Sequence, residues 1–101
     1  MGKRIELHNK LKELLGSNNV YYQPPENLKM EYPAIVYCRD NIEKKYANDS
    51  GYSFSYSYTI TVIDKKPDND AINKILLLPY SNYSRHYVSE GFNHDVITLY
   101  F

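Results

Sequence analysis

The sequence has no tryptophan and one cysteine, Cys38, among 101 residues. One cysteine excludes an intramolecular disulfide and a cysteine-cluster metal site. It lies in the apolar run AIVYC, where a buried, inert thiol in a reducing compartment is expected. Glycine is scarce, at 4 residues. None are spaced as in a phosphate-cradling loop or a dinucleotide-binding turn, and no serine stands in a G-x-S-x-G elbow. Charge of one sign is absent too: 12 Lys and Arg balance 12 Asp and Glu. A domain that binds nucleic acid through bulk charge carries a basic excess. Balanced charge also lowers the barrier to self-association. No apolar run reaches transmembrane length. MGKRIELHNK has no apolar h-region, so no signal peptide is expected, and Glu6 stands where a myristoylation motif needs Ser or Thr.

What is abundant is tyrosine, at 12 residues. Tyr carries a large apolar face and a polar tip and is enriched at protein interfaces. Residues 1–101 fit one domain, which at this size buries only about 60–65% of its unfolded surface. Association would add to its stability.

Leu7, Leu11, Leu14 and Leu15 share one stripe and predict an amphipathic helix over 3–15, stopped by Gly16. Val20–Tyr22 predicts a short extended piece. Pro24 and Pro25 then forbid helix and remove ladder donors. After Pro33, Ala34–Cys38 predicts a central strand. Residues 39–51 are polar and end in turn chemistry, predicting a connecting loop with Ile42–Tyr46 as an extended arm. YSFSYSYTITVID follows, alternating strictly from Tyr52 to Val62, a long strand with one apolar and one hydroxyl face. Asp68 is the expected N-cap of a helix near 69–77, with Ile72, Ile75 and Leu76 inward. Tyr83–Ser89 and Val96–Phe101 predict strands flanking a Glu90-Gly91 turn. The order predicts an α+β fold: a mainly antiparallel sheet with two helices packed on one face.

Three histidines are present. His8 is expected at the surface of the first helix. His86, His94 and Asp95 could meet across a hairpin, yet they match neither zinc spacing nor a 2-His-1-carboxylate pattern. His94 and Asp95 are expected to cap the turn. No catalytic, cofactor or metal residue is predicted, and no enzyme.

Three segments carry a resemblance. NVYYQPPENLKMEYPAIVY (19–37), IDKKPDNDAINKI (63–75) and RHYVSEGFNHDVITLYF (85–101) occur here in one order. From about Leu11 to Phe101 the chain resembles small tail terminator or tail completion proteins of phages of Gram-positive hosts. The resemblance implies a structural virion protein at the head–tail junction, assembled in the host cytoplasm. Its subunits would close into a ring, hexameric in that family. That ring caps the last tail-tube ring, ends polymerisation and offers the docking surface for the head or neck. It implies as partners further copies of the chain, the major tail tube protein and the head-completion or connector protein. No membrane and no specific nucleic-acid contact is implied, though DNA would pass through the ring lumen. A head-closure or adaptor protein of the neck is the nearest alternative. A small non-catalytic binding module is the next. Under the ring reading, Tyr21, Tyr22, Pro24 and Pro25 are expected to leave the sheet edge and pack on a neighbour. Arg39, Glu43, Lys44, Lys45 and Tyr46 are expected in an arm that contacts the tail tube.

Overall fold

The computed structural model describes residues 2–24, 29–46 and 52–100. Helix α1 (Gly2–Leu15) leads into strand β1 (Val20–Tyr22). Strands β2 (Ala34–Tyr46) and β3 (Tyr52–Asp64) form a long hairpin. Helix α2 (Asp70–Leu76) then precedes a second hairpin, β4 (Ser81–Ser89) and β5 (Phe92–Tyr100). The sheet order is β1-β2-β3-β5-β4, antiparallel except for the parallel β1–β2 pair. The α+β sheet with two helices follows the expectation from periodicity.

The core forms where alternation in the strands meets the helical stripe. Leu7 and Leu11 of α1 and Ile75 of α2 join Ile35, Tyr37, Ile60, Ile97 and Leu99 in one fully buried cluster. The two helices thus cover one face of the sheet. Leu14, Leu15, Ile72 and Leu76 complete its edges. The chain leaves α1 through Gly16 at φ 76, in the left-handed region that glycine adopts without strain. The Gly16 and Ser17 amides both donate to the Lys12 carbonyl, which satisfies the orphan acceptor at the helix end.

Four expectations are corrected. Residues 39–41 are strand rather than connecting loop, and the extended arm expected at Ile42–Tyr46 continues the same strand: after a bulge at Asp40, Asn41–Tyr46 pair with Ser57–Tyr52. Polar composition hid this, because a two-stranded ribbon has no face that must be buried. The rest of the expected loop, 47–51, lies outside the described residues. The N-cap of α2 is Asn69, not Asp68. Its Oδ1 accepts from the Ala71 amide at 2.8 Å while its Nδ2 donates to Asp64 at 2.8 Å. A carboxylate cannot make the second bond. Strand β5 begins at Phe92 rather than Val96, which places His94 and Asp95 in the strand and not in a turn cap. Cys38 is exposed rather than buried, because alternation turns Tyr37 into the core and Cys38 away from it.

Truncating the centre of this core tests the packing. Ile60→Ala should lower unfolding free energy by about 2–5 kcal/mol. Leu77→Ala, at a side chain 84% exposed, should stay within about 0.5 kcal/mol. Urea denaturation followed by circular dichroism reads both.

Candidate assembly surfaces

The expected contact residues fall into two groups. Tyr21 and Tyr22 belong to β1 and are half-buried. The Tyr22 ring meets the buried Tyr37 ring at 4.9 Å, and the Arg4 guanidinium lies 4.6 Å above its centroid. Tyr21 accepts a hydrogen bond from the Glu31 amide through its hydroxyl. The chain turns off the sheet edge at Gln23, φ 44, into a half-buried Pro24; Pro25 lies outside the described residues. On its return the chain again packs on itself. The Asn19 side chain donates to the Pro33 carbonyl, and the Tyr32 ring packs tilted against the Phe92 ring at 4.2 Å. Glu31, Tyr32 and Pro33 thus each make a contact within their own subunit.

The second group lies on the β2–β3 hairpin. Arg39 is exposed beside the bulge. Glu43, Lys44, Lys45 and Tyr46 follow in the backbone of β2. Strand β5 stops pairing with β3 at Ser57↔Tyr100, and β1 stops pairing with β2 at Tyr22↔Tyr37. From Ile42↔Tyr56 to Tyr46↔Tyr52 the hairpin is thus a bare two-stranded ribbon among the described residues. It adds about 17 Å of strand beyond the sheet. The molecule measures 52 × 24 × 22 Å, and the ribbon accounts for its long axis. Its radius of gyration, 14.7 Å, exceeds the ~13 Å of a rounded domain this size.

A third surface was not anticipated. Strand β4 is exposed on nearly every residue. It forms the sheet edge opposite β1. Exposed apolar side chains gather there and in the turn before it: Leu77, Tyr80, Tyr83, Tyr87 and Val88. Across the hairpin, Tyr87 stacks on His94 at 4.6 Å and 11°, and the Arg85 guanidinium sits 5.2 Å from the Tyr87 centroid. Sequence alone held a signal for this stack. A two-residue Glu90-Gly91 turn, with both φ values positive, closes a hairpin whose register it fixes. Counting back from that turn sets Tyr87 opposite His94 and His86 opposite Asp95.

All three imidazoles are engaged. His86 Nε2 donates to Asn93 at 2.9 Å, and His94 Nδ1 donates to the Phe92 carbonyl at 3.1 Å. Asp95, 7% exposed, accepts from the Tyr83 hydroxyl at 2.8 Å. That bond raises the Tyr83 phenol above its ordinary value of 10.0. So His86 and Asp95 face each other in register but bond to different partners. No group of three His, Cys, Asp or Glu able to hold a metal occurs among the described residues. One shallow depression of about 440 Å³ is lined by Tyr32, Asp64, Lys65, Lys66 and Phe92. No helix among the described residues is long and apolar enough to cross a membrane.

His8 departs from the expected surface position: half-buried, its Nδ1 shares a hydrogen bond with the Tyr37 hydroxyl at 2.8 Å. Burial, then the charges of Lys12 and Arg4, lower its pKa below 6.5.

No protein-family model matches the sequence, and no curated protein is detectably similar to it.

The His8 shift predicts a pH dependence. Between the lowered folded value and 6.5, the unfolded chain binds more protons than the folded one. Stability therefore rises with pH across that window, and this contribution is lost as pH falls through it. Thermal unfolding of the wild type and of His8→Gln at a series of pH values reads the effect. The variant's midpoint should depend less on pH below about 6.5.

Proposed function

We propose that this chain is a structural subunit of a phage tail terminator. Copies close into a ring at the head-proximal end of the tail tube, end its polymerisation and present the surface on which the head or neck docks. The observation that carries this reading beside the sequence resemblance is the ribbon formed by β2 and β3. A two-stranded hairpin alone is marginal in water and gains stability only by packing against more structure. Here it stands clear of its own sheet at 42–46 and 52–56. It carries Glu43, Lys44 and Lys45, charges suited to a polar protein surface. An arm of this kind reaches a neighbour, which is what a ring subunit resting on a tube requires.

The test uses purified protein and the tail tubes of the phage whose genome encodes it. Negative-stain images should show density added at one end of tubes of uniform length. Decoration of emptied heads instead would move the protein to the neck, and binding to neither would remove the proposal.

The ribbon's role is tested separately. Deleting 42–45 together with 53–56 removes paired residues and preserves the alternation on both strands. The shortened protein should melt within a few degrees of wild type and lose at least about tenfold in tube-end affinity, the equivalent of 1.4 kcal/mol. Unchanged affinity would show that the arm does not touch the tube.

A further inference from the structure

We propose that copies of this chain join head to tail by extending the sheet: the free edge of β4 in one copy pairs, antiparallel, with the free outer edge of β2 around 41–46 in the next. The inference rests on the ring reading above and names its joint.

Both edges are open. Strand β4 ends the sheet, and among the described residues no strand pairs with β2 on its outer side beyond Tyr37. Open edges of this length present unpaired amides and carbonyls that template another strand. One chain therefore carries two unsatisfied edges on opposite sides of the same sheet. Such a pair is self-complementary only between successive copies, which is the heterologous arrangement that builds rings.

Strand direction agrees. β3 runs antiparallel to both β2 and β5, and β4 runs antiparallel to β5. β4 therefore runs opposite to β2. Copies related by rotation about a ring axis would meet in an antiparallel joint, the more stable pairing.

The offset agrees as well. Within one subunit Ser81 is level with Arg39, through Leu99 and Tyr58. Tyr87 is level with Ala34, through His94 and Ile63. β4 thus lies beside the lower half of β2, whereas the free edge of β2 is its upper half. Joining the two edges demands a slide of roughly six residues, about 20 Å along the strands. Five strands span about 24 Å across a sheet. A slide of that size per sheet width corresponds to strands tilted by about 40°, inside the 35–45° range of closed barrels.

Burial gives the driving force. Apolar side chains are left exposed on both surfaces that would meet. Tyr83, Tyr87 and Val88 lie on β4, and Ile42 lies on the ribbon. The joint also supplies the third strand that the ribbon lacks.

Register places Ile42 (opposite Tyr56), His86 (opposite Asp95) and Val88 (opposite Asn93) on the helix-bearing side of the sheet. Engineered cysteines at these exposed positions can therefore meet only between copies. In a Cys38→Ser background, Ile42→Cys combined with His86→Cys or with Val88→Cys would be oxidised in solution and again on tail tubes. We expect a reducible ladder extending beyond the dimer from at least one pair, and at most dimers from each single-cysteine variant. Monomers and dimers alone from both pairs, in both settings, overturn the joint. Tubes capped without a ladder would remove the joint and keep the terminator reading. A ladder without capping would establish the joint and remove the terminator.

Discussion

The pairing of β2 with β3 is the constraint on which the rest depends. It is the longest ladder among the described residues, from Ala34↔Ile63 to Tyr46↔Tyr52. Its lower half sits at the centre of the sheet and supplies Ile35, Tyr37, Ile60 and Val62 to the core. The helices dock on that half, and β1 and β5 align on either side of it. Its upper half is the same ladder without neighbours. One hairpin thus builds the domain and projects from it. The bulge at Asp40 marks the change, since an extra residue there lets the strand bend as it leaves the sheet.

The two ends of the sheet differ in how they are finished. At the β1 end the chain closes on itself. Tyr22 packs on Tyr37, His8 bonds to the Tyr37 hydroxyl, and Arg4 covers the Tyr22 ring. Several of the tyrosines that composition marks out for an interface are thereby spent on the interior. At the β4 end the rings remain on the surface. Tyr83 and Tyr87 are held in place by Asp95 and His94, while both side chains stay partly exposed. A side chain already fixed by its neighbours loses little rotamer freedom when a partner covers it. This asymmetry points to β4, rather than the proline-bounded segment after β1, as the side of the sheet prepared for contact.

Much of the fold was legible in the sequence, because each main element has a strong local cause. The leucine stripe of α1, the alternation of β3 and the Glu90-Gly91 turn each specify their structure within a dozen residues. The same periodicity forecast that Tyr58, Ile60 and Val62 of β3 enter the core. What local pattern could not settle was whether Asn41–Tyr46 pair at all, where α2 starts, and which way Cys38 points. Each depends on a partner distant in sequence: Ser57–Tyr52 for the ribbon, Asp64 for the Asn69 cap, and the buried Tyr37 for Cys38.

The sequence by itself determined an α+β domain, its two hairpins, the core-facing stripe of α1 and the absence of an intramolecular disulfide, since these follow from periodicity, turn chemistry and composition. Only the tertiary structure decided which edges of the sheet remain open, that the β2–β3 hairpin outruns its neighbours, and that exposed apolar side chains collect along β4. Edges are defined by strand order and by the unequal lengths of paired strands. Both are set by long-range contacts, which no window of sequence contains.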